Sequence, residues 1–222
     1  MQWKFIGEIM KFISEKLDDY VCDSTEKEPK LLYDLNRDTH LNVLRPRMLS
    51  GHFQGRVLSM LSHMIRPLNI LEIGTYTGYS AICLAEGMKD DGVLITIDKN
   101  DELETFVQNY IDKTGYKNCI KQLIGEAINV IPSLNEKFDL IFIDADKSNY
   151  INYFDLVFDK LNEGGFILFD NVLWSGKVLE PIEKDDLDTN VLVELNNRLV
   201  EDDRVEVVLL PIRDGLSIVR KK

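Results

Sequence analysis

LEIGTYTGYS, residues 71–80, begins as an apolar strand, breaks at Gly74 and passes a second glycine, Gly78, into a segment with helical character. A strand, a glycine turn and a helix in succession are how a parallel α/β sheet presents a ligand pocket at the carboxyl end of a strand. This stretch therefore predicts a fold and a site together, and the residues on either side of it supply the rest.

Downstream, short apolar runs recur: NILEI, VLITID, CIKQLI, FDLIFID and GFILFD. The amphipathic segments between them, notably Glu102–Ile111 and Tyr150–Leu161, are long enough for crossover helices. Such alternation argues an α/β fold, a parallel sheet covered by helices on both faces. The last two runs, RVEVVLLPI and LSIVRKK, are separated only by Arg213, Asp214 and Gly215. So short a connection makes a hairpin and not a parallel crossover. The expectation is a seven-stranded, mostly parallel sheet that ends with one antiparallel strand.

Upstream the chain reads as a helical preface of residues 1–66. One apolar stripe runs through Phe5, Ile9, Phe12, Ile13, Leu17 and Tyr20, and a weaker one through Leu31, Leu32 and Leu35. A third carries Val57, Leu58, Leu61 and Ile65 and stops at Pro67. Charges interrupt the first stripe too often for a signal peptide or a membrane span. At 222 residues, with 45% hydrophobic and 29% charged residues, the chain is expected to be one domain, residues 1–222. A net charge of −12 disfavours a long electrostatic footprint on nucleic acid. Cys22, Cys83 and Cys119 are too widely spaced to signal zinc or a disulfide framework, which fits a reducing cytoplasmic setting.

Ligands of doubly wound sheets sit at the carboxyl ends of the strands. Glu72, Gly74 and Gly78 follow the first strand, and Asp98, 24 positions beyond Gly74, ends the second, where an acid takes the two hydroxyls of a ribose. A dinucleotide fingerprint needs a middle glycine for close approach to pyrophosphate, and Thr75, Tyr76 and Thr77 stand there instead. A ligand with adenosine and ribose but no phosphate fits better, and S-adenosylmethionine is the common one.

Two further strand ends carry acids. Asp144 closes one run, with Lys147 a helical turn beyond it; Asp170 and Asn171 close the next. Neighbouring strands lie about 4.8 Å apart, so Asp144 and Asp170 can face one point. Two carboxylates and an amide are hard oxygen ligands of the kind magnesium accepts. Beside such a cation, repulsion favours the neutral form of Lys147, which suits a general base.

Taken together, LEIGTYTGYS, DADK, DNVLW and the terminal IRDGLSIVRK resemble, in order, motifs of the cation-dependent O-methyltransferases, the family of catechol and caffeoyl-coenzyme A O-methyltransferases. The likeness runs from about Met48 to Lys221. It implies a Rossmann-like class I methyltransferase fold, S-adenosylmethionine as donor, Mg2+ or another divalent cation such as Mn2+ or Ca2+, a small aromatic diol as acceptor, and a homodimer. Residue by residue, Met48, Glu72, Gly74, Tyr76, Ser80, Asp98, Ala127 and Asp144 match donor-binding positions. Asp144, Asp170 and Asn171 match metal ligands, Lys147 matches the base, and Trp174 is a candidate substrate contact.

A second acceptor class is a hydroxylated wobble uridine of tRNA, for which Arg45, Arg47, Arg56 and Arg66 would have to form a local basic patch. A nicotinamide oxidoreductase is disfavoured by the missing glycine. A non-catalytic adenosyl-binding module is disfavoured by the presence of metal ligands and a base.

Overall fold

The computed structural model describes residues 13–181, 183 and 185–222. Phe5, Ile9 and Phe12 of the first apolar stripe lie outside the described residues. All seven apolar runs form strands: β1 (Asn69–Ile73), β2 (Val93–Asp98), β3 (Ile120–Ile124), β4 (Phe138–Ile143), β5 (Leu161–Asp170), β6 (Val205–Leu210) and β7 (Leu216–Lys221). They pair into one sheet in the order β3-β2-β1-β4-β5-β7-β6. Pairing is parallel throughout β3 to β5, and β7 runs antiparallel to both β5 and β6. The reversed strand comes last in sequence but is inserted between β5 and β6, so β6 forms the edge.

The chain moves outward from β1 to β3 and then returns to the other side of β1 as β4. The topological switch point therefore lies between β1 and β4. Ile73 is in register with Ile143, and Ile143 with Phe169. One residue further along these three strands stand Gly74, Asp144 and Asp170, so register alone brings the glycine turn and both acids to one edge.

Successive side chains of a strand point to opposite faces, and here both faces are covered, which is why the runs read as continuously apolar. Leu71, Ile73, Ile141, Ile143, Ile167 and Phe169 pack with Tyr150, Phe154 and Val157 of α7 (Tyr150–Phe158) and with Leu192, Leu195 and Leu199 of α8 (Leu187–Glu201). On the other face Ile70, Leu94, Leu140, Phe142 and Leu168 meet the helical preface and two crossover helices: Leu32 and Leu35 of α2 (Lys30–Asn42), Leu58 of α3 (Gly51–Ile65), Tyr79 and Ile82 of α4 (Tyr79–Ala85), and Val107 and Tyr110 of α5 (Glu104–Ile111). Two further α-helices are short, α1 (Glu15–Asp23) and α6 (Ala127–Val130). Ser14 caps α1, its side chain accepting from Leu17 N.

Both crossover segments differ from the sequence expectation at one boundary: the first opens with a 3-10 turn, Asp101–Leu103, before α5, and the second ends early. The second helix stops at Phe158, and Leu161 already belongs to β5, paired with Phe138. The Phe138 amide, which donates to Lys160 O at 2.8 Å, draws the chain into the sheet early. Among the described residues no helix is long and apolar enough to cross a membrane.

Candidate active site

At the end of β1 the Gly74 amide donates to Ile97 O at 2.9 Å, and the Asp144 amide donates to Ile73 O at 2.9 Å. Gly74 has φ +103°, and a Cβ there would lie 2.0 Å from the carbonyl oxygen of Asp144. Gly78 has φ +83°, and its Cβ would sit 2.9 Å from Val107 Cγ1. Both glycines thus have a packing cause. Gly74 in particular lets β1 and β4 converge at the switch point, a reason separate from close approach to a ligand.

The turn between them is clamped from two sides. The Tyr76 amide donates to Asp98 Oδ2 at 2.8 Å, and the Asn100 amide to Asp98 Oδ1 at 2.9 Å. Each carboxylate oxygen can accept twice, so each keeps one lone pair for a ligand. The Tyr76 hydroxyl donates to Leu44 O at 3.0 Å, drawing in the segment whose 3-10 turn, Pro46–Met48, ends at Met48. Met48 is 54% exposed. The Gly125 amide donates to Asp98 O at 2.8 Å, which brings Ala127, at the start of α6, to the same end of the sheet.

Glu72 faces away from α7, fully buried, in register with Thr96. Its Oε2 accepts from the Thr96 hydroxyl at 2.5 Å, which is itself 2.5 Å from the Thr75 hydroxyl. Its Oε1 is buried beside the glycine turn with no partner in hydrogen-bond geometry, though the buried Ser80 hydroxyl lies close enough to act on its charge. Burial pushes the Glu72 carboxyl up to about 8; the Ser80 and Thr96 hydroxyls draw it down, and the charges of Asp144 and Asp98 add to the rise.

The folded state therefore holds the Glu72 proton more tightly than the unfolded chain, where a glutamate titrates near 4.3. That contribution to stability is complete below the unfolded value and is lost as pH rises through about 8. We expect the melting temperature of ligand-free protein to fall by several degrees from pH 5 to pH 8, and Glu72→Gln to flatten that slope, measured by scanning fluorimetry. Parallel wild-type and Glu72→Gln profiles would contradict this.

The acids of β4 and β5 meet as register requires. Lys147 is buried, and its Nζ donates to Asp144 Oδ1 at 3.0 Å and to the Tyr150 hydroxyl at 2.6 Å. Tyr150 in turn donates to Asp170 O at 3.0 Å. Asp170 is 2% exposed; its Oδ1 accepts from the Asn171 amide at 2.8 Å and its Oδ2 from Gln54 Nε2 at 2.6 Å. Burial and the charge of Asp144 push Asp170 up to about 7, against Lys147, Gln54 and Arg213.

The sequence expectation for Lys147 concerns the site with a cation beside it; its neighbours alone act in the other direction. Burial alone would lower it, but Tyr150, Asp144 and Asp170 outweigh burial and shift it upward, so the acids as they stand hold it protonated. A depressed value requires additional positive charge beside it.

Beyond Asp170 the chain turns through left-handed conformations at Asn171 (φ 59°), Trp174 (φ 47°) and Ser175 (φ 55°). The β6–β7 connection pins this run: Asp214 O accepts from the Leu173 amide at 2.9 Å, and Asp214 Oδ1 from the Ser175 amide at 2.5 Å. The Trp174 ring lies 6.0 Å from Lys147 Nζ. Among the described residues no group of three or more His, Cys, Asp or Glu stands ready for a metal. The set here is two acids and an amide. Its chemistry fits a hard divalent cation, because a crowded carboxylate pair, one member raised to about 7, gains from positive charge.

The structure thus brings Asp144, Lys147, Asp170, Asn171 and Trp174 together on one side of the switch point, with Glu72, Gly74, Tyr76, Ser80, Asp98, Ala127 and Met48 along β1 to β3. It does not bring together the four arginines. Arg56 is half-buried and paired with Glu86 at 2.9 Å, and Arg47 and Arg66 lie beyond opposite ends of α3, whose 15 residues span about 22 Å. Gln54, Thr96, Tyr150, Arg213 and Asp214 are parts of the site that sequence reading missed.

The O-methyltransferase family model matches residues 22–222. A caffeoyl-CoA O-methyltransferase of Nicotiana tabacum is 33% identical, over 94% of this chain and 92% of its own length. An SAH-bound methyltransferase of Podospora anserina superposes with a TM-score of 0.85 at 29% identity, covering 98% of this chain and all of that one. An O-methyltransferase of Bacillus cereus in complex with SAH does so with a TM-score of 0.86 at 26% identity, covering 93% of this chain and 97% of that one.

Proposed function

We propose that this chain, which belongs to the O-methyltransferase family, moves the methyl group of S-adenosylmethionine to a hydroxyl of a catechol-like or hydroxycinnamoyl small molecule, with a divalent cation held by Asp144, Asp170 and Asn171. One observation carries the reading: Asp144 closes the glycine turn through its carbonyl and joins the acid cluster through its side chain, so a donor at the turn and a cation at the acids would be neighbours across Asp144. The SAH in the Podospora and Bacillus structures and the tobacco relative's name support it.

In this reading Asp98 holds the ribose with its remaining lone pairs, Tyr76 and Met48 line the donor's approach, and Ala127 lies beside the adenine. The orphaned Glu72 Oε1 offers an acceptor to a donor N–H group. Asp144, Asp170 and Asn171 would hold the cation, which when bound would supply Lewis acidity and the positive charge that offsets the acids around Lys147. Lys147 takes the hydroxyl proton, oriented by Tyr150 and Asp144. Trp174 gives an aromatic acceptor a face to lie on. Orientation of the hydroxyl toward the methyl carbon does much of the remaining work, up to about 7–11 kcal/mol in favourable cases.

Mass spectrometry of methyl transfer across catechols, hydroxycinnamoyl esters and hydroxyuridine tRNA tests the acceptor. Catechols or hydroxycinnamoyl esters should turn over fastest. Methylation of tRNA alone would contradict the small-molecule reading, which the dispersed arginines favour over tRNA.

A further inference from the structure

Gln54, near the start of α3, is 1% exposed, and a buried side-chain amide is costly unless both of its ends are satisfied. Its Nε2 donates to Asp170 Oδ2 at 2.6 Å, and its Oε1 accepts from Arg213 Nη1 at 2.5 Å. These partners are remote in sequence, Asp170 at the end of β5 and Arg213 in the β6–β7 connection. The same Arg213 nitrogen donates to Leu49 O at 3.2 Å and to Ser50 O. Arg213 also adopts φ +50°, a left-handed conformation uncommon for residues other than glycine. Such a conformation persists where surrounding contacts over-determine it, and here three acceptors converge on one guanidinium nitrogen.

We propose that Gln54 is a positioning residue for the Asp170 carboxylate and that Arg213 sets the direction of its amide, a proposal that rests on the reading of Asp170 as a cation ligand. With a cationic donor on its oxygen, the amide must turn its NH2 toward Asp170; reversed, it would set an oxygen against the carboxylate. The Asn171 amide holds Asp170 Oδ1 at 2.8 Å, so the two donors together fix the carboxylate plane. Each oxygen keeps its other lone pair for a cation. Partners behind a metal ligand typically contribute about 10–100-fold to metal affinity.

The test is Mn2+ binding to ligand-free protein, read from the electron paramagnetic resonance of free Mn2+, beside calorimetry of S-adenosylhomocysteine binding. Gln54→Met should weaken Mn2+ by about 10–100-fold, and Arg213→Met should weaken it in the same direction by less. S-adenosylhomocysteine affinity should stay within about twofold of wild type in Gln54→Met, and in Arg213→Met, which also frees the Leu49 and Ser50 carbonyls next to Met48, it should fall by less than Mn2+ affinity does. Arg213 reaches the surface, so Arg213→Met serves where Gln54→Met does not fold. Wild-type Mn2+ affinity in either folded variant would overturn the proposal, and so would an equal loss of Mn2+ and S-adenosylhomocysteine affinity, which marks general disruption. If wild-type protein binds no Mn2+, or Asp170→Asn binds it as tightly as wild type, the cation reading itself fails and the proposal with it.

Discussion

Asp144→Asn should lower kcat/KM for a catechol acceptor by at least about 10²-fold while the protein stays folded. The substitution keeps the volume of the side chain and deletes its charge. Lewis-acid stabilisation at such a centre is worth several kcal/mol, and about 1.4 kcal/mol is tenfold in rate. Asp144 also accepts from Lys147 at 3.0 Å, so deleting its charge weakens one of the two contacts that orient the base. The fold should survive because the strand-end contacts of residue 144 are made by its backbone, the amide to Ile73 and the carbonyl against Gly74. Steady-state kinetics with varied Mg2+ check this, alongside circular dichroism. Activity within tenfold of wild type would remove Asp144 from the mechanism.

Gly74→Ala acts on the same junction through packing. A Cβ placed 2.0 Å from a backbone carbonyl oxygen has no side chain to displace, and φ +103° is itself forbidden to alanine. Backbone strain and overpacking each cost about 1–3 kcal/mol, and here they act together. A loss of about 2–6 kcal/mol lowers the melting temperature of a domain this size by roughly 4–24 °C. Calorimetry should show that fall. Gly115→Ala is the control: nothing lies within 4 Å of its Cβ, and its φ is not left-handed, so its melting temperature should stay close to wild type. Equal melting temperatures for the two variants would mean that β1 and β4 do not converge as described.

The strands were readable because both faces of the sheet are covered, which leaves runs such as NILEI and FDLIFI apolar at nearly every position. Their ends were readable for the same reason, since Gly74, Asp98, Asp144 and Asp170 are where that apolarity stops. The Arg213-Asp214-Gly215 connection announced a hairpin but not the neighbour of its second strand, because β7 chooses β5 through contacts some fifty residues away in sequence. Leu161 looked like the last apolar position of a helix, and only its pairing with Phe138 makes it a strand residue.

Gln54 and Arg213 left no local signal, as each is defined by a partner on another element. Lys147 is legible by position, but its cation-free charge state is not, because that depends on three groups, one of them Tyr150, hidden in an apolar helix face.

The central claim is that the ends of β1, β4 and β5 form one centre for a methyl donor and a divalent cation. Its most direct test is methyl transfer from labelled S-adenosylmethionine to a catechol, measured before chelation, after exhaustive EDTA treatment and dialysis, and after Mg2+ is restored. Turnover should fall by at least about 10²-fold on chelation and return with Mg2+. Undiminished turnover in the chelated protein would contradict it.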